Sequence, residues 1–318
     1  MNSGNPGARP RAEQDDLRKL LTRTPLHERS GVMDFVSDPD DYCRNFGMQW
    51  QRFRDVQIDS ITSTPDSGCR FWAETGWTPT KLADMTILDA GCGAGRFAAV
   101  ALGAGARVVA MDLSEAAYAC AQTLESFPHD RFLVLRADIF NPPLQTGSFD
   151  GIYSLGVLQH TPEPLGAVGT LVPLLKPGGN LAVWIYEKRF WRWFQVRTLI
   201  RWATRGCTLG FKEKLAFGLT LLFFPLGWSL SWLGRFGEKA SHLLPYAARH
   251  HLGRGDFGRQ WKYSLLDTID WYGPAYDLPQ SQVDVESAMR VAGLVEIRRT
   301  PARGMAIVGR MPDTASMR

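Results

Sequence analysis

The sequence predicts an α/β protein built on a doubly wound, mostly parallel sheet of about seven strands, the last of them antiparallel. Three observations carry this. Thr86 to Phe97 joins an apolar, β-prone run to a Gly-rich turn and then to the helix-forming stretch from Arg96 to Leu102. Strand-like and helix-like segments alternate from there to Tyr186, as a parallel sheet requires. A helix and two short strands then close the pattern between Ser281 and Arg310.

Length and composition frame this reading. A chain of 318 residues with 45% hydrophobic content buries one full α/β core and leaves on the order of a hundred residues for extensions. Five cysteines, at 43, 69, 92, 120 and 207, form no Cys-x-x-Cys spacing, which argues against a disulfide framework and against a structural metal. The polar stretch Met1 to Pro10 lacks the apolar core of a signal peptide, so a cytoplasmic protein is expected. The expected organisation is a disordered tail over 1–30, a helical arm or lid over 31–84, a core over 85–187, a helical cap inserted over 188–265, and the rest of the core over 266–318.

The arm begins with Tyr42, Phe46, Trp50 and Phe53, spaced by four, four and three, so that a helix would put them on one face. That face either packs into the core or forms a lid. The first core strand ends at Asp89 and breaks into Gly91, Gly93 and Gly95. Glycines admit positive φ and close approach of a ligand, and the following helix start offers free N–H groups. A dinucleotide site would need a third glycine at 96, where this chain has Arg96, and Asp89 would repel a pyrophosphate. The same acid suits a ligand carrying an amine and a sulfonium.

With Asp89 and Gly91-x-Gly93-x-Gly95 the chain resembles the class I S-adenosylmethionine-dependent methyltransferases, and the order of parts resembles them over roughly residues 85 to 187. Phe46-Gly-Met-Gln-Trp50 is similar to the N-terminal arm of a bacterial small-molecule group within that class. The resemblance implies a Rossmann-like fold and S-adenosylmethionine as cofactor. It places Asp89, Gly91, Cys92, Gly93, Gly95, Ser154 and Trp50 around the cofactor, with the acid near its amino acid end. It also makes Asp112 the ribose ligand, Leu113 a wall of the adenine, and Asp138 with Ile139 the adenine-edge pair. Asp112 independently ends a second strand about twenty residues beyond the glycine turn, the spacing at which an acid meets a ribose in nucleotide folds.

His160 follows the fourth strand, at the end of the sheet where ligands bind, and is the first candidate for a base that removes a proton from the acceptor. A structural histidine capping the next helix is the alternative. Tyr272, Tyr276 and Asp270 are second candidates.

Beyond Glu187 the character changes. Lys188 to Lys214 is basic with interleaved aromatics, including Phe190, Trp191, Trp193, Phe194 and Trp202, and Leu215 to Leu233 carries no charge. Nineteen uncharged residues reach the lower limit of a membrane span, yet an internal span would separate the last strands from their sheet. The expectations are a buried cap or an interfacial hairpin making peripheral contact with the inner face of a membrane over 188–233, with a small-molecule or lipid-like acceptor whose acidic group meets Arg197 or Arg201. Nucleic acid is a third possibility for this stretch, since Arg and aromatics also serve a phosphate backbone and stacked bases, but beside so long an apolar run it is not expected as a partner. His250 and His251 read as surface rather than metal ligands.

Overall fold

The computed structural model describes residues 14–37, 41–190, 195–241, 243–248 and 257–313. Its centre is one sheet in the order β1-β2-β5-β4-β3-β6-β7-β9-β8. The strands are β1 (His27–Arg29), β2 (Val32–Asp34), β3 (Thr86–Ala90), β4 (Arg107–Asp112), β5 (Phe132–Arg136), β6 (Phe149–Leu155), β7 (Leu175–Ile185), β8 (Val295–Arg299) and β9 (Met305–Arg310). β2 to β7 pair in parallel, and β9 lies antiparallel between β7 and β8. This is the expected doubly wound sheet with nine strands in place of seven.

Of the two additional strands, β1 comes from the stretch that the sequence assigns to a disordered tail and β2 from the start of the expected helical arm. Ser30 and Gly31 have φ of 51° and 74°, the signs that a two-residue type I′ hairpin turn needs. β1 and β2 close around them, and β2 joins the sheet beside β5. An ion pair pins it there: Arg136 donates to Asp34 at 2.8 Å, both side chains being more than nine-tenths buried. Upstream, Gln14–Arg18 is a short helix that sends Leu17 into the core.

Alternate residues of the central strands feed two apolar layers, one on each face of the sheet. Leu88, Val109 and Met111 belong to one layer, Ile87, Val108 and Ala110 to the other. The terminal helix Gln282–Val291 starts as the sequence indicates, Ser281 accepting from the N–H of Asp284, and Gly293 ends it with φ of 99°.

A third apolar cluster lies under the cap. Helix Leu209–Leu230 packs on helix Phe257–Tyr272, and Ala216 meets Phe53, Tyr263 and Leu266 there. Phe257–Tyr272 in turn rests on helix Arg44–Phe53, which packs on helix Ala116–Leu124, so this part of the arm is held between the cap and a helix of the core. Trp191, Trp193, Phe194, His250 and His251 lie outside the described residues.

Candidate active site

The glycine turn fixes the floor of the site. Gly91, Gly93 and Gly95 have φ of 92°, 51° and 82°, a region closed to most side chains. A Cβ on Gly91 would stand 2.4 Å from Val157, and one on Gly95 2.7 Å from the Cys120 sulfur. The N–H groups of Gly91 and Cys92 donate to the Met111 carbonyl at 2.7 and 3.0 Å, which ties the turn to β4. At the end of β4, Asp112 accepts from Gly93 N–H through Oδ2 and from Ser114 N–H and Oγ–H through Oδ1. Three of roughly four acceptor positions are thereby used to orient the carboxylate, and one on Oδ2 remains. Burial pushes the Asp112 carboxyl up, while the bonds from Ser114 and Gly93 hold it down.

Above this floor lies a cavity of about 600 Å³, within the range of small-ligand sites. Asp112, Leu113, Ala137, Ile139 and Val157 line one end. The arm forms its roof, and each residue type of Phe46-Gly-x-Gln-Trp50 has a local reason. Phe46 packs on the His160 ring at 5.1 Å. A Cβ on Gly47 would press within 3.3 Å of the Glu115 backbone. Gln49 donates to the Leu266 carbonyl at 3.1 Å, and the Trp50 indole nitrogen would lie 3.1 Å from a Cβ on Gly93. The arm is thus both core and lid: Phe53 is buried in the cluster under the cap, whereas Phe46 and Trp50 face the cavity.

At the other end, Trp184, Tyr186, His160 and Tyr263 make an aromatic wall. His160 is buried, and its Nδ1 lies 3.0 Å from the Tyr276 carbonyl, so Nδ1 donates and Nε2 bears the lone pair. Its ring meets that of Tyr186 edge-on at 5.5 Å, and the Tyr186 hydroxyl donates to Asp270 at 3.1 Å.

Beside this wall sits a charged cluster. The Arg70 and Arg96 guanidiniums both approach the Phe97 ring, at 5.6 and 4.3 Å from its centroid. Arg70 pairs with Glu74 at 2.8 Å, and Arg96 donates to Gln57. Burial and the neighbouring Arg70 lower Arg96 to about 10. Burial raises the Glu74 carboxyl against the pull of Arg70, and its Oε2 is buried without a hydrogen-bond partner. Two cations thus share one strained carboxylate at the cavity wall. Arg96 also opens the helix Arg96–Gly103, the end where the helix dipole disfavours a cation.

Of the residues singled out in the sequence, Trp50, Gly91, Cys92, Gly93, Asp112, Leu113, Ile139, His160 and Asp270 line the cavity. Asp89, Gly95, Asp138, Ser154, Tyr272 and Tyr276 are not among its described lining. The Asp89 carboxyl is buried beside the Tyr153 hydroxyl, within electrostatic reach of Arg96 and Asp112. Asp138 accepts from Phe140 N–H, and the Ser154 hydroxyl is spent on the Ala90 carbonyl at 2.8 Å. Tyr272 is buried and donates to the Pro245 carbonyl at 2.8 Å, and the Tyr276 ring stacks edge-on with Tyr42. Arg197 and Arg201 are also away from the cavity: the first stacks on Trp271, the second donates to the carbonyls of Trp271 and Pro274. Arg70, Glu74, Tyr186, Tyr263 and Asp267 line the wall without having stood out in the sequence. All five lie outside the glycine turn and the strand and helix that flank it, and no local pattern marks them.

The floor suits S-adenosylmethionine. Gly91 and Gly93 keep side chains out of the turn, Asp112 offers an oriented acceptor, and Leu113, Ala137 and Ile139 give an apolar slot for a base. Comparisons with known proteins agree. Residues 88–183 match the family described as methyltransferase domain. Over 114 residues the chain is 33% identical to the ubiquinone biosynthesis O-methyltransferase of Thiobacillus denitrificans, covering 35% of this chain and 47% of that protein. Over 207 residues it is 28% identical to the tRNA U34 carboxymethyltransferase of Methylococcus capsulatus, covering 64% of this chain and 60% of that protein. The chain thus spans about half the length of the curated relatives it matches. Among solved structures, magnesium protoporphyrin IX methyltransferase of Synechocystis PCC 6803 with bound SAH aligns with a TM-score of 0.45 and 17% identity, over 85% of this chain and 96% of that one. Through residues 88–183 the chain belongs to the class I S-adenosylmethionine-dependent methyltransferases.

Proposed function

We propose that the protein methylates a hydroxyl of a small acceptor that combines an apolar, partly aromatic body with an acidic group. The observation that carries this is the composition of the cavity wall, where Trp184, Tyr186 and Tyr263 stand with Arg70, which pairs with Glu74, and Arg96, which donates to Gln57. When bound, S-adenosylmethionine supplies an electrophilic methyl on a sulfonium. The chain's task is then to place the acceptor, keep water out and take one proton. In this reading Asp112 and the glycine turn hold the cofactor, with Trp50 over the turn. Phe46, Trp184 and Tyr186 exclude water around the reacting oxygen. His160, its tautomer set by the Tyr276 carbonyl, accepts the acceptor's proton at Nε2. Arg70 and Arg96 receive an anion.

The relative named as a ubiquinone biosynthesis O-methyltransferase supports an oxygen acceptor. The tRNA relative covers more of the chain, yet the basic residues that favoured a phosphate backbone are engaged within the protein: Arg201 with two carbonyls, Arg197 with Trp271. Methyl-labelled S-adenosylmethionine, offered with fractionated metabolites and lipids or with total tRNA, tests the reading by mass spectrometry. Label in an acidic small molecule is expected, and label in tRNA alone overturns the proposal. Calorimetry separates the two anions that the arginines could meet. If they serve the acceptor, Arg70→Gln binds S-adenosylhomocysteine as the parent does. If they hold the cofactor's own carboxylate, that affinity falls, whereas methylthioadenosine, which lacks the carboxylate, binds both proteins equally.

A further inference from the structure

Helix Leu209–Leu230 is built inside out. The face it turns to the protein carries Ala216, Thr220, Phe224 and Gly227, mostly small, and it fits closely enough that a Cβ on Gly227 would collide with the Tyr246 hydroxyl. The opposite face carries Phe217, Leu221, Leu222 and Leu226, all exposed, Leu222 to 70%. Phe217 and Leu221, and Leu222 and Leu226, stand four residues apart, and the four together spread along the half of the helix turned away from Ala216 and Thr220. The turn and short helix that follow add Trp232 and Phe236, exposed to 61% and 72%. Helix Val196–Ala203 repeats the arrangement: Arg197 and Arg201 attach it to the segment Trp271 to Pro274, while Val196, Leu199 and Trp202 are exposed.

The exposed charges have a matching distribution. Lys214 lies one turn before Phe217, and Arg235 and Lys239 flank Phe236 at the far end, so cations bracket the apolar surface. Of the Lys and Arg from 195 to 241, Arg205, Lys214, Arg235 and Lys239 are exposed, against one exposed glutamate, Glu238. An apolar face between cations complements the boundary between anionic head groups and acyl chains. It does not complement water, and an exposed apolar face of this size marks a contact site.

The geometry points to a docking surface for an anionic lipid bilayer over residues 196–241, lying in the interface and not crossing it. The helix Leu209–Leu230 has the length and composition of a membrane span. Its packing decides otherwise: it is held along its small-residue face by helix Phe257–Tyr272, so it cannot enter the bilayer end-on without dragging the catalytic domain with it. None of its residues is among the described lining of the cavity, so this face belongs to the outer surface and not to the acceptor site. The surface is therefore independent of the proposed reaction. A helix that carries cavity residues Tyr263, Leu266, Asp267 and Asp270 lies directly behind it, which brings the cavity next to the bilayer.

The test is co-sedimentation of the full chain with vesicles of phosphatidylcholine alone and of phosphatidylcholine mixed with phosphatidylglycerol, at low and high salt. The parent should bind the anionic vesicles reversibly and lose binding as salt rises. The double variant Leu222→Glu, Leu226→Glu should bind them about a hundredfold more weakly, since two leucines no longer enter the acyl boundary. Its melting temperature and its affinity for S-adenosylhomocysteine should be those of the parent, which separates lost docking from misfolding. The charge variant Arg235→Glu, Lys239→Glu should lose the preference for phosphatidylglycerol. No binding of the parent to any vesicle overturns the proposal. So does binding that the leucine variant retains, a lipid-free dimer of the parent that the leucine variant splits, or retention through carbonate extraction that only detergent reverses.

Discussion

Replacing Asp89 by Asn should stabilise the protein in alkaline solution and leave it almost unchanged in acid. The carboxyl sits in β3 with almost no exposure and with one oxygen lacking a hydrogen-bond partner. Burial pushes it up to about 8; the Tyr153 hydroxyl and Arg96 oppose this, and the neighbouring Asp112 reinforces it. In the unfolded chain an aspartate titrates near about 3.9. Between about pH 4 and pH 8 the folded protein therefore keeps a proton that the unfolded chain has released, and stability falls as pH rises through that window. At about 1.4 kcal/mol per unit, a displacement of roughly four units amounts to on the order of 5 kcal/mol between the two ends of the window, as an upper bound. Asn has the shape of the protonated acid and nothing to ionise. Glu74, whose carboxyl burial also raises, is present in both proteins and cancels in the difference, whereas Asp112 acts on Asp89 and is part of the effect. Urea unfolding of parent and variant near the two ends of the window reads the effect directly. A variant that gains nothing as pH rises, or gains most in acid, would refute the argument that Asp89 is neutral in the folded protein.

Three further outcomes are expected. Asp112→Ala should weaken S-adenosylhomocysteine binding by about 1.5–3 kcal/mol, the worth of a hydrogen bond to a charged group, as measured by calorimetry; an unchanged affinity would remove Asp112 from the cofactor site. His160→Ala should slow methyl transfer by roughly 10²–10⁴-fold with cofactor affinity and melting temperature preserved; if all three fall together, the residue is structural. Asp34→Ala leaves Arg136 buried without its carboxylate and should cost about 3–5 kcal/mol of stability in urea unfolding, with β1 and β2 losing amide protection first, since that pair ties the hairpin to β5.

The glycine turn was legible because its chemistry is local. Gly91, Gly93 and Gly95 all take positive φ, and the residues that forbid a side chain there, Val157 and Cys120, come from the strand end and helix that the alternation itself implies. The acid at the end of β4 follows for the same reason, since register in a parallel sheet sets where a strand stops. Asp89, two residues before the first glycine, is buried beside Tyr153 and is not among the described lining of the cavity, and spacing alone does not give the side that a strand residue takes. The hairpin β1–β2 escaped notice because its strands are three residues each and its turn signal, Ser30-Gly31, is weaker than Asn-Gly or Asp-Gly. Arg70 and Glu74 were invisible for another reason: they join Arg96 only through tertiary packing around Phe97.

The run Leu215 to Leu233 has no charged residue to mark its outer face, so periodicity, which locates a helix's inner side by contrast, has little to work on. What decides the orientation is size. Ala216, Thr220 and Gly227 allow the backbone to lie close against Phe257–Tyr272 and Tyr246, and a larger residue at Gly227 would push the helix away. The small residues thus mark the protein side, and Phe217, Leu221, Leu222 and Leu226 are left on the other by elimination. In an ordinary core helix the large side chains fill the interior and the small ones are incidental. Here the order is reversed, and the reversal moves nearly all of the segment's apolar area from the acceptor site to the outer surface. The sequence leaves that area between a buried cap and an interfacial hairpin, and its exposure is the observation on which the proposed docking surface rests.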